Sequence, residues 1–216
     1  MSEPTWKEVF SYRNSRKRFY VLGVAMAAMF AFVFFTLEWT EKRNGFVIES
    51  WARELLGAPT DFSIAIFALT YTSVLFALYQ FRKSPESIFR LLIAYTIMQF
   101  LRGTFLLIVP LEPSPDIIPL EDPFLKLTFY NGRPNLKDLF FSGHVATILI
   151  IGFLTRSQKL RIAVFSAAII TSALLVQQRV HYIADVLAAL PAAWISVRLS
   201  SYIARSSSKG SSGSAI

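Results

Sequence analysis

The sequence contains no cysteine and only two histidines among its 216 residues. The first absence excludes disulfides and thiolate metal sites and leaves the redox compartment open. Acid is scarce beside base, 14 residues against 22, for a formal charge of +8. Such a balance can mark a nucleic-acid binder, but here the cations lie at the ends of apolar runs, which points to a membrane partner and not to nucleic acid. What is abundant is apolar: the chain is 54% hydrophobic and carries 20 Phe. One soluble core cannot hide that much and leave a wettable surface, so the chain belongs in lipid.

Six apolar runs have about the length that a helix needs to cross ~30 Å of hydrocarbon. They are Phe19 to Leu37, Phe62 to Phe81, Ile88 to Val109, Leu139 to Leu154, Ile162 to Val176 and Tyr182 to Ile203. The fourth and fifth are short, and the sixth contains Pro191, which a membrane helix absorbs as a kink. The predicted fold class is therefore an all-α membrane protein with six transmembrane helices. Basic residues collect on one side: Lys7 and Arg13 to Arg18, then Arg82, Lys83 and Arg90, then Arg156, Lys159 and Arg161, then Arg198, Arg205 and Lys209. Only Glu3, Glu8 and Glu86 join them there, so the positive-inside bias predicts both termini in the cytoplasm and the loops 38–61 and 111–138 outside. No small-residue cleavage pattern follows the first span, which predicts an uncleaved anchor.

The division expected is a cytoplasmic segment 1–18, a six-helix catalytic domain 19–203, and a flexible Ser- and Gly-rich tail 204–216. Residues 4–18 mix aromatics with basic residues, as does a helix lying on an anionic leaflet. Residues 46–56 place Val47, Ile48, Trp51 and Leu55 near helical spacing, suggesting a second interfacial helix outside; an ordinary loop fits either segment equally well. No internal repeat is evident.

Both histidines fall at predicted outer ends of spans. His144 follows Ser142 and Gly143 at the start of the fourth, and His181 opens the sixth, four residues before Asp185. In a helix that spacing puts the two side chains one turn apart on one face. A carboxylate so placed fixes the imidazole tautomer and leaves the other ring nitrogen as nucleophile or base. Packing against a nearby cation is the plainer role for Asp185, but it is the only acid in its span, where an ionisable group is expensive. Ser142 suits a helix N-cap, Gly143 lets a ligand approach the backbone, and the free N–H groups of a helix start attract an anion such as phosphate. His144 then stands where it can protonate a leaving oxygen. Arg102, inside the third span, must find an anion, either Asp185 or the phosphate. Arg179, at the outer rim, is a second candidate clamp. Lys126, Arg133, Lys137 and Asp138 flank the site with roles left open; solvated loop charges are their simplest reading.

The pairing of Ser-Gly-His with a His-x-x-x-Asp opening a later membrane helix resembles the type 2 phosphatidic acid phosphatase superfamily, and within it the sphingomyelin synthase and ceramide phosphotransferase branch. Three stretches between about Phe100 and Leu199 carry the resemblance: Leu101-Arg102-Gly103-Thr104 leading to Val109-Pro110-Leu111-Glu112-Pro113, then Asp138 through His144, then His181-Tyr182-Ile183-Ala184-Asp185-Val186. It implies six helices, an active site on the extracytoplasmic face, no metal or other cofactor, and a phosphohistidine intermediate. His181 would be the nucleophile, Asp185 its orienting carboxylate, His144 the acid and then the base, and Arg102 the matching arginine. Lys126 to Pro134 also spells the Lys-x6-Arg-Pro of the phosphatase branch, yet only seven residues separate Pro134 from Ser142, and Leu175 stands where that branch has an arginine six before the second histidine. The cysteine usual in animal synthases is missing.

The implied substrate is a lipid from the bilayer. A lipid-alcohol acceptor makes the chain a phosphotransferase acting on a phospholipid or sphingolipid; water makes it a phosphatase of phosphatidic acid-type monoesters. A non-catalytic lipid-binding protein of the same fold, and a transporter using Arg102 and Asp185 as an ion pair, are rivals from other classes. Nothing in the sequence sets the headgroup, the acyl preference or the oligomeric state.

Overall fold

Capping chemistry starts the helices where the sequence places its serines. In the computed structural model, which describes residues 5–11, 13–48, 55–120 and 135–212 (backbone only at 13–15 and 205–212), Ser84 is extended and its hydroxyl accepts the N–H of Ser87 at 3.2 Å. Pro85 follows at the first helical position, where its missing N–H costs nothing. Ser142 caps a second helix in the same way, accepting from Val145 N at 3.5 Å.

The described helices are α1 (Trp6–Ser11), α2 (Arg13–Lys42), α3 (Ser63–Phe81), α4 (Pro85–Ile108), α5 (Gly143–Leu154), α6 (Gln158–Gln177) and α7 (Ile183–Ser212). Among the described residues there is no strand, only one isolated parallel bridge, Phe46 to Leu111. Five helices, α2, α3, α4, α6 and α7, are long and apolar enough to cross a membrane. They turn large apolar side chains outward, such as Val24, Phe35, Ile64, Ile169 and Leu187, as spans facing lipid do.

The fourth predicted span differs from expectation. Its helix begins at Gly143 rather than Leu139 and has 12 residues, about 18 Å. Leu139 and Phe141 are buried but not helical, and hydropathy counts a buried apolar residue whatever its backbone does. Such backbone is tolerated at membrane depth only inside protein, and α5 is inside protein: it packs against α3, α4, α6 and α7, and Val145, Ala146 and Ile148 through Gly152 are buried.

Helices α2, α4, α6 and α7 run past one or both of their predicted ends, because helical hydrogen bonding continues beyond the apolar stretch, whereas α3 keeps within its run. α6 starts at Gln158 and includes Lys159 and Arg161, and α7 passes unbroken through Pro191. α7 also stays helical to Ser212, through most of the segment that composition marks as a flexible tail, since extending an existing helix is far easier than starting one. At the N-terminus, α1 is only six residues long; Trp6 Nε1 donates to Arg82 O at 2.7 Å and its ring stacks on Phe10. Phe46 to Ile48 are not helical, against the interfacial helix expected there, because Phe46 is tied to Pro110 and Glu112 by backbone bonds of 2.9 and 3.0 Å. Residues 49–54 of that segment lie outside the described residues.

The contact of α2 with α4 depends on Gly103. A Cβ there would stand 2.5 Å from Phe32 Cε1, too close for a ring that is itself stacked on Phe100. Gly103→Ala should therefore lose about 1–3 kcal/mol, as overpacked sites do, and Phe32→Leu in the same chain should recover much of it. Thermal unfolding in detergent reads both; an unshifted Gly103→Ala transition would remove this contact from the helix interface.

Candidate active site

The end of α6 sets the position of His181. Gln178 closes the helix, Arg179 follows at a φ of 64°, and Val180 turns back so that its N–H meets Leu175 O at 3.0 Å while Arg179 N meets Val176 O at 3.2 Å. These two bonds are the Schellman pair, with Val180 and Leu175 in the same apolar cluster. Glycine ordinarily takes the left-handed place; an arginine there carries strain of about 1–3 kcal/mol. Arg179 is held by its side chain, which donates from Nη2 to Gly57 O at 2.8 Å and lies 3.7 Å from Asp116 Oδ2. It is buried.

Gln178, which sequence reasoning passed over, ties this turn to α3 and to the loop that follows α4. Its amide donates to Ser63 Oγ at 3.0 Å and Ile118 O at 3.2 Å, and its carbonyl accepts Phe62 N at 2.8 Å. A pair of amide residues ending an apolar span was the available signal, since a buried amide needs several partners.

His181 and Asp185 then meet as their spacing predicts. Nδ1 lies 3.4 Å from Asp185 Oδ2, and both side chains are buried, Asp185 completely. The same oxygen accepts Tyr182 N at 2.9 Å. Asp185 is the third residue of α7, so this second bond is the reciprocal half of a capping box, which satisfies the helix start. The carboxylate favours the tautomer with its proton on Nδ1 and leaves the Nε2 lone pair available. Its other oxygen, Oδ1, is buried with no hydrogen-bond partner among the described residues.

Two contacts join this pair to α5 and α4. Ser142 N donates to the backbone oxygen of Asp185 at 3.2 Å, which sets the start of α5 beside the start of α7. Arg102 lies over Gly143: a Cβ on that glycine would come within 3.1 Å of Nε and 3.2 Å of Cζ. Gly143 thus has a reason beyond ligand approach, because the guanidinium occupies the volume of a side chain. His144, one residue on, is half-buried, with its ring edge-on to Phe67 of α3 at 5.7 Å between centroids. The structure thus brings Arg102, Ser142, Gly143, His181 and Asp185 into one connected group, with His144 on the adjoining turn.

The partner expected for Arg102 has to be corrected. It pairs with Asp138 rather than Asp185, through Nη2 and Oδ2, and its Nη1 reaches Gln99 Oε1 at 3.4 Å. Asp185 is committed to the turn that starts α7, whereas Asp138 sits on the non-helical segment in front of α5. Gln99 continues to Tyr95 Oη at 2.9 Å, so a polar ladder runs down one face of α4. Lys137 points elsewhere: Nζ donates to Glu112 Oε1 at 2.7 Å and to Arg43 O at 2.6 Å. The Lys137 bond holds the Glu112 carboxyl below its ordinary range, against the opposing effect of burial. Lys126 and Arg133 lie outside the described residues.

Compared with protein-family models, curated proteins and solved structures, the chain matches none.

Proposed function

We propose that the chain is a six-span membrane enzyme, both termini cytoplasmic, that transfers a phosphoryl-bearing group from a lipid at the extracytoplasmic leaflet through a phosphohistidine on His181, in the manner of the superfamily its motifs resemble. The observation that carries this reading is the buried His181–Asp185 pair bonded through Ser142 to a helix N-terminus that Arg102 covers. A helix start with a cation beside it is a place for an anion, and an oriented imidazole beside it is a nucleophile.

In the first step Nε2 of His181 attacks phosphorus and the bond to the leaving alcohol breaks, with His144 giving its proton to the departing oxygen. In the second, His144 takes the proton of the acceptor hydroxyl, that oxygen attacks phosphorus, and the phosphorus–nitrogen bond breaks to restore His181. Arg102 and the N–H groups at the start of α5 stabilise charge on the phosphoryl oxygens. On this reading α5 is the fourth of six spans, completed by the buried segment before it.

Purified protein incubated in detergent with phospholipid labelled on phosphorus should yield an acid-labile adduct mapped to His181. Chasing with a lipid alcohol or with water alone then shows whether the label leaves as a new phospholipid or as a water-soluble phosphate, free or still carrying its headgroup ester. Folded protein that forms no adduct and turns over no member of a broad lipid-phosphate panel would end the enzymatic reading.

A further inference from the structure

The guanidinium of Arg102 has one nitrogen to spare. Nη2 is on Asp138 and Nη1 faces Gln99, while Nε is buried without a hydrogen-bond partner among the described residues and lies against Gly143 at the start of α5. Arg102 as a whole is 9% exposed. Asp138 has a spare group too: Oδ1 is buried and accepts nothing among the described residues. An anion arriving at the start of α5 meets Nε, and beside it meets a carboxylate already sharing the same cation.

Two further described cations near this group are matched as well. Arg179 stands against Asp116 and Lys137 against Glu112, while Asp185 adds a further carboxylate beside His181. A site for a doubly charged phosphate would hold an excess of positive charge. Here each of these cations has a carboxylate, and Asp138 takes up the one nearest to the helix start.

We infer that Asp138 is a specificity-determining residue that makes this site take a singly charged phosphate ester, one phosphorus with two ester bonds, and discriminate against a doubly charged monoester. The inference rests on the proposed function for the location of the phosphate. Its physics is exclusion: the pair Arg102–Asp138 has little net charge to offer, and each further negative charge on the ligand is repelled by the carboxylate at short range, where screening by water is weak.

The test uses two short-chain lipids that differ only in charge, dihexanoylglycerol phosphate and its methyl ester. Binding to the full-length protein in an uncharged detergent is measured at about pH 8, where the monoester is a dianion and the methyl ester a monoanion. The wild type should bind the methyl ester about tenfold more tightly or better. Asp138→Asn, which keeps the shape and loses the charge, should tighten monoester binding about tenfold and change methyl-ester binding less than about threefold. If Asp138→Asn does not fold, the comparison is repeated with wild-type protein at about pH 5, where the monoester has lost its second charge: protonation of groups in the site acts on both lipids, so the ratio of the two affinities should fall toward one. Equal affinity of the wild type for the two lipids, or an equal shift of both in Asp138→Asn, overturns the inference, as does absence of binding by either. If the preference appears but neither lipid is turned over and His181 gains no phosphate, the catalytic proposal falls and the charge selection by Asp138 stands.

Discussion

His181→Ala abolishes lipid turnover, with a fall of about a thousandfold or more, while the protein still folds. The proposed chemistry passes every phosphoryl group through this imidazole, so its loss removes the two-step route and leaves only whatever the anion site does for a direct attack. The fold tolerates the change because Asp185 keeps its bond from Tyr182 N, and the start of α7 stays capped. Asp185→Ala is a poorer probe, since it removes that cap together with the orienting group. Asp185→Asn keeps an acceptor for Tyr182 and loses the charge that orients His181, so it should slow turnover about a hundred- to ten-thousandfold with a nearly normal unfolding transition. Radiolabel transfer paired with thermal unfolding gives both readouts, and wild-type turnover in His181→Ala would withdraw the nucleophile.

Arg102→Leu has the largest expected effect on stability. The pair it breaks is largely withdrawn from solvent, with side-chain exposures of 11% and 16%. Taking away the cation leaves the carboxylate of Asp138 largely buried and without its counter-charge. Removing one member of a buried pair costs about 3–5 kcal/mol, because the survivor keeps its desolvation penalty and loses its compensation. Replacing both members with apolar residues removes that penalty, so Arg102→Leu combined with Asp138→Leu should unfold at nearly the wild-type temperature. Turnover should not return with it, since the phosphate has lost its guanidinium. If Arg102→Leu alone unfolds like the wild type, the pair is not the buried strut described here.

Much of this arrangement could be read from residue types in order. Apolar length located the spans, because a helix in lipid must bond its own backbone and needs a fixed number of apolar residues to do so. Ser142 announced a helix start by side-chain chemistry that acts within three residues, whereas the same signal in Ser84 with Pro85 went unread and the third span was set to begin at Ile88 instead of Pro85. The His181–Asp185 contact was legible from the four-residue spacing, although His181 stands before the first residue of α7 and meets Asp185 at the helix start and not across a turn within it. What escaped was long-range or contrary to preference. Asp138 is 36 positions from Arg102 and belongs to no periodic pattern with it. Arg179 stands in a left-handed place that favours glycine, and its strain is offset by Gly57 and Asp116, which no local rule connects to it. The late start of α5 escaped because apolar residues signal burial, and burial does not specify backbone.

The shortness of α5 has an electrical consequence. Arg156, exposed just past its C-cap, marks the cytoplasmic edge on the proposed orientation. Twelve residues of helix then bring Ser142 to about 18 Å above that edge, roughly 12 Å below the outer limit of a ~30 Å hydrocarbon layer. A phosphate descending from the outer surface to Arg102 crosses about two-fifths of the membrane potential. With the inside negative, each negative charge it carries meets about 0.9 kcal/mol of opposition per 100 mV. Catalysis in an energised membrane would then run more slowly than in detergent, and a singly charged ester would feel half the voltage penalty of a doubly charged one.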